Sequence, residues 1–187
     1  LIDARIGLWA CSLLLSLASG CSRGKTAESA CHDLRDAILE ADGMAVYDAL
    51  LQNTQWSVST VQKLHAQMAS AITSRYPGPE QAAALARLYA AEADSGRELF
   101  WQLYPERYAA DFRERVGEQM PVTLVSAQQA RCGTDAGKPF ALSLGQDGKW
   151  GLSELDREWE DAKLRAYHDL ETVQKNVELY RRMGERK

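Results

Sequence analysis

Histidine is scarce in this chain: there are three in 187 residues, none spaced His-x-x-x-His, and no Cys-x-x-Cys accompanies them. The local signature of a zinc site is therefore missing. No glycine-rich phosphate loop and no Gly-x-Gly-x-x-Gly occurs, which removes the common nucleotide and dinucleotide motifs. Basic charge is not in excess, since 22 Lys plus Arg face 26 Asp plus Glu for a net charge of −4. Without a field that gathers phosphate, nucleic acid is not an expected partner. Long apolar runs are missing too. The run from Ile6 to Leu17 is about a dozen residues, roughly 18 Å as helix, where a bilayer core takes about 20 residues. What remains, 45% hydrophobic and 26% charged, is the composition of a globular domain.

That short run is informative through its flanks, with Arg5 before it and Ala18, Ser19, Gly20 and Cys21 after it. A cation, a greasy stretch and then small residues form the layout of an export signal. The order Leu17-Ala18-Ser19-Gly20-Cys21 resembles the lipobox of bacterial lipoprotein precursors. The resemblance implies cleavage between Gly20 and Cys21, a diacylglyceryl group on the Cys21 sulfur, and membrane lipid as a partner through that cysteine. Several acyl chains, at about 0.8 kcal/mol per buried CH₂, hold a protein on a membrane where a single chain is marginal. By the same resemblance, Ser22 implies an outer-membrane address facing the periplasm. A plain secretory signal cut after Gly20 is the alternative. The chain then divides into a signal over 1–20, a lipidated tether over 21–28 and one domain over 29–187.

Cys11 would leave with the signal and Cys21 would carry lipid, which leaves Cys31 and Cys132 to the domain. Two thiols in an oxidising compartment predict one disulfide. It would close a loop of about 100 residues and contribute up to about 4 to 5 kcal/mol. Two free buried thiols, or a metal or redox role, are the alternatives.

The domain divides by hydrophobic period. Ala30, Leu34, Ala37, Ile38 and Ala41 lie on one helical stripe that Asp42-Gly43 interrupts, and Ala45, Val46, Ala49 and Leu50 resume it as a kinked or second helix. Ser59 and Gln62 match a capping box ahead of Val61, Leu64, Met68 and Ile72, a helix that Tyr76-Pro77-Gly78-Pro79 ends. Pro79 and an alanine-rich run from Gln81 to Ala93 predict another helix. Ser95 and Glu98 cap a further one bearing Leu99, Phe100, Trp101, Leu103 and Tyr104, after which Pro105 opens a short helix closed by Gly117. From Met120 the period becomes two. Val122 to Arg131, Phe140 to Leu144 and Trp150 to Leu155 predict three strands, with Gly145-Gln146-Asp147-Gly148 as a hairpin turn. Leu155, Trp159, Ala162, Ala166, Leu170, Val173, Val177 and Tyr180 then mark a helix of about 28 residues. The predicted fold is α+β: a helix-rich N-terminal two-thirds, then a three-stranded antiparallel meander covered by the long terminal helix.

The segment "FALSLGQDGKWGLSEL", Phe140 to Leu155, is similar to the last hairpin of NTF2-like domains. That resemblance implies a curved sheet cupped by helices into a cone, a scaffold used by enzymes and binding modules alike. Candidate acid–base residues are His32, His65 and His168 with Asp33, Asp36, Asp48 and Asp169. None stands in a motif, and no catalytic residue, cofactor or metal ligand is assigned. His65, at the edge of an apolar stripe, suits a hydrogen-bonded boundary residue. Phe100, Trp101 and Tyr104 are the candidate contact surface for an envelope protein or small ligand, against the alternative that they pack the core. Part of the terminal helix is expected to pack on the sheet, and the distal part, Val173 onward, to project, pack on the N-terminal helices or pair with a second copy as a homodimer contact, packing within the chain being the default. The expected function is a non-enzymatic, membrane-anchored binding module; an NTF2-like enzyme using His65 or His32 with a carboxylate is the alternative.

Overall fold

The computed structural model describes residues 26–134 and 137–184. Gly20 and Cys21, with the proposed signal, lie outside the described residues. The fold is α+β, with seven helices and a four-stranded antiparallel sheet among the described residues.

Helix α1 (Ala27–Leu39) begins where the Thr26 hydroxyl accepts the Ser29 N–H at 3.2 Å, two residues inside the expected tether. Its stripe of Ala30, Cys31, Leu34, Ala37 and Ile38 is buried. At the glycine break, Ala41 turns with φ 54° and the Asp42 carboxylate accepts N–H bonds from Met44 and Ala45, starting a separate α2 (Gly43–Asp48). A Cβ on Gly43 would stand 2.9 Å from Tyr104 Cβ, so only glycine lets α2 approach that ring.

Helix α3 (Gln52–Arg75) starts well ahead of Ser59. The Ser59–Gln62 pair is therefore interior and not a cap: the Ser59 hydroxyl lies 3.2 Å from Tyr47 Oη, and Gln62 Nε2 donates to the Ala93 carbonyl at 2.6 Å. The alanine-rich run is helical only over α4 (Gly78–Leu85). Beyond it, Leu88, Ala90 and Ala93 are buried, and two of the backbone groups there bond to α3 side chains: Ala93 to Gln62, and the Ala90 N–H to His65 Nδ1 at 3.4 Å. Tertiary bonds have overridden propensity here. Ser95 does cap α5 (Gly96–Arg107), accepting the Glu98 N–H at 3.1 Å. Pro105 falls inside α5 and does not open the next helix, α6 (Ala109–Arg115).

The polar run expected to continue the first strand instead folds back, so the sheet has four strands and not three. They are β1 (Val122–Ser126), β2 (Gln129–Cys132), β3 (Phe140–Leu144) and β4 (Trp150–Leu152), in the order β1-β2-β3-β4. The extra turn, Ala127-Gln128, holds no Gly, Pro, Asn or Asp; its local support is the Ser126 hydroxyl, which accepts the Gln128 N–H at 3.2 Å. Side chains of one sheet face form two rows, Val122–Cys132–Phe140 and Leu124–Ala130–Leu142–Leu152. Along the outer edge of β4, residues 49–51 bond to Leu152, donating from Leu51 N–H and accepting its N–H at Ala49, which closes that side.

The sheet takes its cover from α1, whereas α7 (Asp156–Gly184, 29 residues) lies along α3. The two helices run parallel: Thr54 bonds Asp156, Ser57 Oγ bonds Glu160 at 3.0 Å, and Tyr76 meets Tyr180 edge-on at 5.0 Å. The cover expected of the terminal helix is thus confined to its start, where Trp159 shares the main core with Phe140 and Leu152, and its distal part packs on an N-terminal helix. Its buried Ala166 and Val173 face a second helix, which a stripe cannot distinguish from a sheet. Around the far half of this pair, Met68, Ile72, Leu88 and Val173 form a satellite core.

Candidate binding surface

Helix α5 separates the three aromatic candidates. Phe100 and Tyr104 are fully buried: Phe100 stacks on Tyr108 at 5.3 Å and tilts against Trp159 at 6.4 Å, and Tyr104 meets Phe112 at 6.3 Å. Burial raises the Tyr104 hydroxyl pKa above the usual phenol value. Neither ring is available to a partner. Trp101, one residue on, is exposed.

The three histidines occupy three environments. His32 on α1 is exposed and its Nδ1 lies 3.1 Å from Asp36 Oδ2, one helical turn on. His65 on α3 is buried and meets the Tyr89 ring edge-on at 4.9 Å. His168 on α7 is exposed. Of the remaining carboxylates, Asp48 pairs with Arg97 at 2.6 Å, while Asp33 and Asp169 lie on the exposed faces of α1 and α7. Among the described residues, His32 and Asp36 form the one imidazole–carboxylate pair of hydrogen-bond length. Both side chains face water, as in an ordinary i,i+4 surface pair.

His32 of that pair lines an open cleft of ≈ 410 Å³ between α1 and the 118–122 segment. Glu28, His32 and Arg35 form one wall; Met120, Pro121 and Val122 form the apolar side. Arg35 is fixed by bonds to Asp36 at 3.0 Å and the Gly117 carbonyl at 3.4 Å. Behind the cleft, Cys31 and Cys132 form a disulfide with Cα atoms 5.7 Å apart, binding α1 to β2. The cleft opens directly onto β1, where Leu124 and Val125 are exposed.

Sequence reasoning missed Arg115. Its guanidinium is buried, forms a bidentate pair with Glu154 and lies 3.9 Å from the Phe140 ring centroid. Only its spacing from Asp111, at i−4, hinted at pairing.

No group of three or more His, Cys, Asp or Glu suited to a metal occurs among the described residues. No helix among them is long and apolar enough to cross a membrane. The string Gly20-Cys21-Ser22-Arg23-Gly24 has the residue order of a nucleophile elbow and lies outside the described residues. In comparison with known proteins, no family model, curated protein or solved structure matches the chain.

Proposed function

We propose that this chain is a lipid-anchored cell-envelope protein whose domain is a non-enzymatic interaction module. The observation that carries the location is the residue order from Arg5 to Cys21, ending Ala18-Ser19-Gly20-Cys21. The Cys31–Cys132 disulfide supports it, because such bonds persist in oxidising compartments. The scatter of the histidines over α1, α3 and α7 supports a module that binds and does not catalyse. The contact surface in this reading is the α1 cleft, for a protein or small ligand of the envelope.

A distant NTF2-like relationship is part of the same proposal. The β3–β4 hairpin over Phe140–Leu152 and the helical cover on one sheet face support it. A second, enzymatic reading is favoured by one observation, the 3.1 Å contact of His32 with Asp36 at a cleft wall. It ranks lower because both side chains face water.

Intact mass of the protein from a membrane fraction tests the location. The expected species begins at Cys21 and carries diacylglyceryl plus acyl mass on that residue. An uncut, lipid-free chain in the cytoplasm would overturn the reading.

A further inference from the structure

One edge of the sheet is closed by residues 49–51; at the other, no strand among the described residues pairs with β1, and its pattern of main-chain groups matches itself. Pro121 O accepts the Gly133 N–H at 2.9 Å, which fixes the parity of the β1–β2 ladder. Residues 121/133 and 123/131 are its hydrogen-bonded pairs, so Val122 and Leu124 point their N–H and C=O groups away from β2. Natural edges are blunted by charge, proline or a bulge within the strand; the one irregularity of β1 lies between Leu124 and Ser126, beyond the 122–124 stretch. Here residues 119–130 carry no charge in a chain that is 26% charged, and Pro121 lies at a position whose missing N–H would have faced β2.

Burial along the core row changes abruptly at this edge. Leu152, Leu142 and Ala130 are 0%, 1% and 3% exposed, and Leu124, next in the same row, is 61% exposed. The row runs off the sheet with an apolar side chain that the described residues leave largely uncovered.

We propose that β1 is a homodimer edge, pairing antiparallel with β1 of a second copy about a two-fold axis through Thr123. In that register Val122 faces Leu124 of the other copy, Thr123 faces Thr123, and Leu124 faces Val122. The two outward-pointing residues of each copy thus exchange four main-chain bonds. The Leu152–Leu142–Ala130–Leu124 row continues into the Val122–Cys132–Phe140 row of the other copy, and the reverse, joining the two cores across an eight-stranded sheet. Every facing position is neutral, so self-pairing opposes no like charges, and each row of that sheet face meets its complement on the second copy; the interface is isologous and closes as a dimer. This edge does not depend on the lipid anchor. A strand this short covers less than the roughly 1,200–2,000 Å² of stable standard interfaces, so the dimer is reversible and concentration-dependent.

Cross-linking reads the geometry directly. Facing Thr123 residues form a non-hydrogen-bonded pair with Cα atoms about 4.5 Å apart, inside the span of a disulfide. The full chain carrying Thr123→Cys is oxidised mildly in membranes or detergent beside the parent chain and a Gln146→Cys control in the β3–β4 turn. A covalent dimer that exceeds both controls several-fold is the expected result. Thr123→Lys, an exposed change that places like charges on the axis, should weaken dimerisation in analytical ultracentrifugation by about tenfold or more. Cross-linking no better than at position 146, capture of a different polypeptide instead of a second copy, or association that survives Thr123→Lys but is lost in Leu179→Glu on α7, would each overturn the proposal.

Discussion

Arg115 and Glu154 form a bidentate ion pair, with Nη1–Oε1 at 2.7 Å and Nη2–Oε2 at 2.8 Å, that joins the end of α6 to the segment between β4 and α7. Arg115 also donates to the Lys138 and Pro139 carbonyls at 2.9 and 3.3 Å and to Asp111 at 2.9 Å. One side chain therefore ties together three pieces of chain distant in sequence. Glu154→Ala leaves a buried guanidinium with part of its donors unpaired and should destabilise the domain by about 2–3 kcal/mol, less than a wholly stranded charge because Asp111 remains. Arg115→Lys should recover little, since an ammonium cannot reproduce the fork. Urea denaturation of the three chains measures both; a Glu154→Ala loss under about 0.5 kcal/mol would show the pair to be dispensable.

The disulfide carries a separate expectation. It spans 101 residues, so in the chain-entropy picture its removal should cost up to about 4–5 kcal/mol, with less if the unfolded chain retains structure. The Cys31→Ser, Cys132→Ser double variant should show the shift in denaturation midpoint without reductant, and reductant should move the parent towards it. An unchanged midpoint in the double variant would count against any stabilising role.

Which features were legible in the sequence follows from how local their causes are. Ser95 was identifiable as a cap, because its hydroxyl and the Glu98 N–H are three residues apart. Ser59–Gln62 presented the same pattern and misled, because its partners Tyr47 and Ala93 come from other elements. The β3–β4 turn was announced by Gly145 and Gly148, the latter at φ 74°; Ala127-Gln128 announced nothing, and a strand was lost. The length of α7 was plain from its stripe, yet its neighbour was not, since periodicity names a buried face and not what buries it. At the candidate surface, the pairing of Cys31 with Cys132 followed from counting thiols. Phe100, Trp101 and Tyr104 are close in sequence, but helical geometry sends the first and third inward and the second outward.

Gly96 makes a further prediction about how α5 meets α3. A Cβ there would stand 2.7 Å from Ser59 Cα, a backbone atom that cannot swing aside. Gly96→Ala must push the helices apart, which should cost about 1–3 kcal/mol even though alanine is the better helix former. Gly78→Ala, at a position where a Cβ meets nothing within 4 Å, is the matched control and should be near neutral. Thermal melts of the two variants separate packing from propensity. Equal effects at both sites would mean that α5 has slack against α3.

His65 gives the molecule a defined pH response. Its Nδ1 accepts the Ala90 N–H, so that nitrogen must be unprotonated while the 86–93 segment stays on α3. Burial pushes the imidazole pKa below its ordinary value of 6.5, and the Asp169 carboxylate on α7 offsets this in part. The other groups near it are the Tyr89 ring and, 5.2 Å beyond that ring's centroid, the Arg107 guanidinium. Because the unfolded chain takes up the proton more readily, His65 contributes stability that is fully present above pH 6.5 and is lost as pH falls through the lower folded value. The slope is at most about 1.4 kcal/mol per pH unit for one proton. Denaturation midpoints taken downward from pH 7.5 should show this loss in the parent and a flatter profile in His65→Gln, which keeps an acceptor but does not titrate there. Backbone amide exchange at Ala90 should accelerate over the same range in the parent alone. Identical pH profiles for the two proteins would mean that the proton goes elsewhere, and that the 86–93 segment is held by Gln62 and its apolar contacts without the imidazole.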